Sequence, residues 1–248
     1  MDLRGEEPEA AAASLREYWG LGERPIRNLV HLLEAKGARI FSLAENTRAV
    51  DAYSFWKGNT TFAFLNTLKS AEHGRFDAAH ELGHLVLHRH GGAGADDTPT
   101  GRAVEQEADR FASAFLMPPG SVRALAPRFA RLDHLIQLKK QWTVSVAALV
   151  RRLKDLGLLT EWHYRTLCVE LSSKGYRTEP PAKRRKCSAR CLRPFARKVF
   201  PKKSLRTISK YRSKRSKRSC SAWSWWDCRA DGIRKRGRRC PDERPCGS

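Results

Sequence analysis

His80-Glu81-Leu82-Gly83-His84 places two imidazoles four residues apart, with a carboxylate beside the first. On a helix, positions i and i+4 share one face about a turn apart, so both rings can reach one metal ion. Glu81 is then placed to meet a water held there. Two zinc ligands plus a general base is the chemistry this spacing serves. A chance match is uncommon, on the order of one in a hundred chains of this composition. The metal reading is therefore preferred to one in which the histidines are merely packed or solvated.

Two histidines do not complete such a site, because a catalytic zinc generally takes three protein ligands. His88 lies one turn from His84 and two from His80, which makes it a neighbour but a poorer third corner. Asp96 and Asp97 fall in a Gly-rich stretch, residues 91–99, that reads as an exposed loop. The helical segment 103–118 offers better donors. Its Glu105, Ala108, Asp109, Ala112 and Leu116 share a face. Two carboxylates in an Ala-lined stripe suggest paired roles, with Glu105 on the metal and Asp109 accepting a hydrogen bond from a ligating imidazole. Glu107, on a different face, is the runner-up ligand. His73, Arg75, Tyr53 and His88 are all eligible as a further electrophile.

The elements that must position these groups can be read from periodicity and breaks. A helix is expected from Pro25 to Gly37, then short strands at residues 38–43, 50–56 and 61–66, rich in β-branched and aromatic residues. A small antiparallel sheet resting on the metal-site helix is the economical arrangement, with Phe41, Tyr53, Phe55, Trp56, Phe62 and Phe64 mostly packed in the core. The metal-site helix is expected over residues 71–88 and the carboxylate helix over 102–116. Further helices are expected at 121–125, 132–140, 145–156 and 161–172. Ser145 and Thr160 serve as N-caps, and Gly157 and Gly175 as stops. The fold class is α+β, with a mainly helical C-terminal part. Residues 142–153 resemble the second half of a helix-turn-helix, but such matches recur in helical hairpins and a packing role is preferred.

The two metal-site segments together, residues 75–88 and 105–118, resemble the ImmA/IrrE metallopeptidase family. Those proteins are gluzincin-like, with an active-site helix of the zincin type. Their second motif is Glu-x-x-x-Asn or Asp ahead of Leu-Met-Pro, which this chain carries as Glu105, Asp109 and Leu116-Met117-Pro118. The resemblance spans roughly residues 14–179. It implies His80, His84 and Glu105 as Zn2+ ligands, Glu81 as catalytic base and Asp109 as partner of a ligating histidine. It also implies an endopeptidase that cleaves a regulatory protein, a helix-turn-helix repressor or antitoxin-like partner, in stress or mobile-element gene control. Many members carry an N-terminal helix-turn-helix domain, and this chain begins about where one would end. The alternative is a non-catalytic regulatory or DNA-binding protein carrying a peptidase-like domain; a toxin paired with an antitoxin is a third reading.

The formal charge of +22 first suggests a nucleic-acid binder. Its distribution changes that inference. Residues 180–248 hold 24 of the 48 Lys and Arg but only 4 of the 26 Asp and Glu, so the preceding body is nearly neutral. Six of the seven cysteines lie there too, leaving Cys168 alone in the body and arguing against a disulfide framework. With no secretory signal and no long apolar run, a cytoplasmic protein is expected. Residues 1–13 read as a flexible extension, frayed or helical. Residues 180–248 read as a disordered basic tail able to touch nucleic acid. Their abrupt departure from the acidic, helix-forming text of the resembling proteins points instead to a frame shift, which would make the tail functionally silent.

Overall fold

A computed structural model of the chain describes residues 3–43, 52–66, 69–88 and 101–176. The basic tail, with its expected disorder and frame-shift origin, lies outside the described residues, as does the loop at 91–99. Helices α1 (Pro8–Tyr18) and α2 (Leu29–Ala35) precede strands β1 (Arg39–Leu43), β2 (Ala52–Lys57) and β3 (Thr60–Asn66). Helix α3 (Ala71–Gly83) follows and runs into a π-helical turn, His84–His88. Then come α4 (Arg102–Leu116), α5 (Pro119–Leu125), α6 (Leu132–Leu138), α7 (Val146–Asp155) and α8 (Glu161–Ser173), with a 3-10 turn at Lys139–Gln141. The class is α+β. No helix of the described residues is long and apolar enough to cross a membrane.

The sheet is mixed rather than antiparallel, in the order β1-β3-β2. β2 and β3 form an antiparallel hairpin through Gly58-Asn59, with Gly58 at φ +59°. A glycine with positive φ at the first position of a two-residue loop matches the strand twist. β1 instead runs parallel to β3, with Ile40 opposite Ala63. The most buried strand takes the centre: residues 63–66 of β3 are all buried, whereas Ser54 is the only buried residue of β2. Side-chain alternation specifies which face a residue occupies but carries no information on strand direction.

The sheet's two faces have different fates. Ile40, Ala63 and Leu65 join the main core. Phe41, Tyr53, Phe55, Phe62 and Phe64 form the opposite face, where near-parallel rings stack at 4.6–6.3 Å. Of these five only Phe64 is buried; the other four are half-buried, so they do not fill the core as expected. Trp56 points the other way and donates its indole N–H to the carbonyl of Leu85 at 3.1 Å, tying β2 to the π turn.

Local chemistry starts and stops the helices. Ser70, Ser145 and Thr160 accept hydrogen bonds from the backbone N–H three residues on, capping α3, α7 and α8. Pro25 does not open α2, because Asn28 caps it by accepting from the His31 N–H. Gly157 and Gly175 follow α7 and α8 at φ +71° and +74°, where a glycine stop belongs.

Of the extension expected to be flexible, residues 3–13 are described, and from Pro8 on they are the helix α1. α1 packs along α4, and Leu3, Ala11, Ala12 and Leu15 are buried. The Ala-rich text that suggested fraying is what lets this helix approach its neighbour closely. Two buried arginines fasten it. Arg16 donates to the carbonyls of Phe115, Gly22 and Arg24. Arg152, only 1% exposed, donates to the Met117 carbonyl and pairs with Glu9 at 2.9 Å. Glu9→Ala should leave that buried guanidinium without its counter-charge. Breaking a buried pair costs about 3–5 kcal/mol. Because a third of the Glu9 side chain is exposed, a loss of about 2 kcal/mol is expected in urea unfolding. Unchanged stability would mean that α1 is not fastened there.

The segment resembling half a helix-turn-helix is core. Trp142, Val144, Val146, Leu149, Val150 and Leu153 are each at most 1% exposed. Of α7 only Arg151 and Asp155 are exposed, and they pair with each other at 2.9 Å. The apolar residues of this segment are thus used for packing.

Candidate metal centre

α3 and the π turn that continues it bring His80 and His84 onto one face, and α4 lies against them. The close approach depends on Gly83. A Cβ there would meet Phe111 Cδ1 at 3.1 Å and Ala108 Cα at 3.3 Å, tighter than ordinary contact. Ala108 and Ala112 are fully buried on the other side of this seam. Small residues on both helices thus let Glu105 and Asp109 of α4 reach the imidazoles of α3.

His80 Nε2, His84 Nε2 and Glu105 Oε2 converge. The two nitrogens are 3.0 Å apart, and the carboxylate oxygen lies 3.1 Å from His80 and 3.6 Å from His84. These three residues form a group able to hold a metal ion, with ligand atoms within 4.8 Å of one another. Zinc with bonds of about 2.0–2.1 Å in tetrahedral geometry separates its ligand atoms by about 3.4 Å, within a few tenths of the distances here. The remaining edge of His80 is also held: Nδ1 lies 2.8 Å from Asp109 Oδ1. A carboxylate on Nδ1 fixes the ring and leaves Nε2 as the coordinating atom.

The electrostatics favour a positive centre. Burial alone would lower the His80 pKa, but hydrogen bonds to Asp109 and Glu105, with the nearby charges of Asp109 and Glu81, push it up to about 10. Burial would likewise raise Glu105; its hydrogen bonds to His80 and His84 instead hold it well below the usual carboxylate range. A site so arranged binds either a proton or a metal cation between its donors. The donor set, two imidazoles and a carboxylate, suits zinc.

Glu81 is 3% exposed. Its Oε2 accepts from the Ser54 hydroxyl at 2.6 Å, and the same hydroxyl lies 3.2 Å from the Glu81 carbonyl. Ser54 was not singled out in the sequence. Its signal is a small polar residue at the core-facing position between Tyr53 and Phe55, where an apolar side chain is the norm.

The other sequence candidates separate cleanly. Glu107, the runner-up ligand, is turned away and lies 2.9 Å from His88 Nε2. Arg75 is buried and donates to the carbonyls of Ile26 and Arg27, a fastening for α3 rather than an electrophile. His73 lies 3.0 Å from Lys69 and 3.6 Å from Asp77. Tyr53 stacks on Phe64 on the far face of the sheet. Asp96 and Asp97 lie outside the described residues.

Comparison with known families places a match over residues 33–154, to the IrrE N-terminal-like domain, Peptidase_M78. No curated protein matches the chain. The matched span contains the sheet, the metal-site helix and the carboxylate helix. α1 and α8 fall outside it, although both contribute to the same core.

Proposed function

Through residues 33–154 the chain belongs to the ImmA/IrrE family of metallopeptidases, and from that premise we propose that it is a zinc-dependent endopeptidase acting on a regulatory protein. The observation that carries this reading is the convergence of His80, His84 and Glu105 beside a buried, oriented Glu81. His80, His84 and Glu105 would hold the zinc, which when bound lowers the pKa of water toward about 7 and polarises the scissile carbonyl.

Glu81 takes the proton as water adds to the carbonyl carbon and delivers it to the departing amine as the C–N bond breaks. Ser54, donating to Oε2, orients the carboxylate for both transfers. Asp109 keeps the His80 ring in place. Peptide and water thus become a carboxylate and an amine, with the proton passing through Glu81.

Ser54→Ala would leave Glu81 in its pocket without the hydroxyl that aims it. A fall in kcat of about tenfold is expected, less than the roughly 10²–10⁴-fold that losing the base itself costs, with KM and metal content little changed. Ser54→Thr, which keeps the hydroxyl, should recover most of the rate. Equal steady-state rates for Ser54→Ala and the wild type would remove Ser54 from the mechanism.

The substrate proposed is a helix-turn-helix repressor or antitoxin-like protein, as the family resemblance implies, in a cytoplasmic setting of stress or mobile-element control. The test is incubation with purified proteins of that class encoded beside the gene, read by intact mass. Two fragments summing to substrate plus water, lost on chelation and restored by zinc, are expected. Intact substrate in the presence of stoichiometric zinc would instead favour a non-catalytic regulatory role.

A further inference from the structure

His80 and His84 present the same need, a partner at Nδ1 that turns Nε2 toward the centre, and meet it differently. His80 uses Asp109 directly. His84, fully buried, has its Nδ1 3.1 Å from Nδ1 of His88, whose Nε2 lies 2.9 Å from Glu107 Oε2. The His88 side chain is 5% exposed and the Glu107 side chain 48%. Two residues outside the converging set thus form one chain leading to a residue within it.

We propose that Glu107 and His88 are positioning residues that fix the tautomer and orientation of His84. An ionised carboxylate only accepts hydrogen bonds, so Nε2 of His88 carries its proton and donates to Glu107. With that proton on Nε2, Nδ1 of His88 takes the accepting side of its 3.1 Å contact with Nδ1 of His84. His84 must accordingly donate from Nδ1, which leaves its Nε2 lone pair aimed at His80 and Glu105.

The backbone supplies the geometry. In an α-helix, residue i+4 is rotated about 40° past residue i. The π turn at His84–His88 departs from that spacing and holds the two ring centroids 5.2 Å apart. Single π turns inside helices recur at functional sites. The Trp56 indole, donating to the Leu85 carbonyl, braces this turn from the sheet.

The inference rests on the proposed metal role of His84, but its test does not depend on peptide cleavage. Long-range 1H–15N correlation of the histidine rings in the metal-free full chain should show His84 as the Nδ1–H tautomer. Affinity for zinc by chelator competition, and the visible spectrum of the cobalt-substituted protein, then report on the site. His88→Phe keeps a ring but removes the acceptor; zinc affinity should fall 10–100-fold, as for other outer partners of metal ligands, with a shifted cobalt spectrum. His88→Asn, whose amide oxygen lies about where Nδ1 was, should recover to within about threefold. Should His88→Phe not fold, Glu107→Ala at the half-exposed end of the chain is expected to lower affinity about tenfold. Wild-type His84 as the Nε2–H tautomer, or wild-type affinity and spectrum in His88→Phe or Glu107→Ala, would overturn the relay. Loss of cleavage with tautomer and affinity intact would count against the peptidase reading alone.

Discussion

Glu81→Gln is expected to retain a full equivalent of zinc and lose about 10²–10⁴-fold in kcat/KM, the span that a positioned general base contributes. That is about 3–5 kcal/mol of barrier. The two properties separate because of where Glu81 sits. Its carboxylate is held by Ser54 from β2, and it is not one of the three residues whose ligand atoms converge. Gln has nearly the same volume and keeps an oxygen able to accept from Ser54, so the fold and the His80–His84–Glu105 cluster should persist. It cannot take up a proton. Metal content by mass spectrometry and cleavage rates on one preparation decide the matter. Wild-type turnover in this variant would remove Glu81 from the reaction.

Glu105→Ala should behave in the opposite sense and lose the metal. Outer partners of metal ligands are worth about 10–100-fold in affinity, and a direct ligand should exceed that, leaving no zinc after dialysis. The variant also deprives His80 and His84 of the carboxylate 3.1 and 3.6 Å away. Its side chain is 43% exposed, so truncation opens no buried cavity and the protein should remain folded. Glu107→Ala is the matched control, expected to bind zinc about tenfold more weakly but still to carry it. Retained zinc in Glu105→Ala with complete loss in Glu107→Ala would exchange the two roles. The present geometry opposes that exchange, because Glu107 is engaged with His88.

Much of the architecture was legible because its signals are local. α4 was expected over residues 102–116 and forms there. Ser145 and Thr160 cap their helices as expected, since a side chain reaching a backbone N–H three residues on needs no tertiary partner. The sheet is the counterexample. Its strands were placed within a residue or two, yet β1 pairs in parallel, and its aromatic residues stack outside the core. Alternation says that Tyr53 and Phe55 share a face but not which face meets α3. The N-terminal segment failed for a related reason: a run of alanines reads alike whether it frays in water or lies along α4.

The candidate site divides along the same line. His80, Glu81 and His84 were readable because helix spacing alone sets two imidazoles on one face. Glu105 and Asp109 were readable as a pair because both lie on the small-residue face of one helix. Helical spacing set Glu105 on the face of Ala108 and Ala112 and Glu107 on another, but it did not say which face α3 would meet. Their difference comes from the seam where Gly83 meets Ala108, which turns Glu105 toward the imidazoles and leaves Glu107 to His88. Ser54 and the π turn were likewise beyond sequence reading, because each acquires its role from an element remote in the chain. Periodicity determines which side chains stand together on one element. Only packing decides which of them the next element meets.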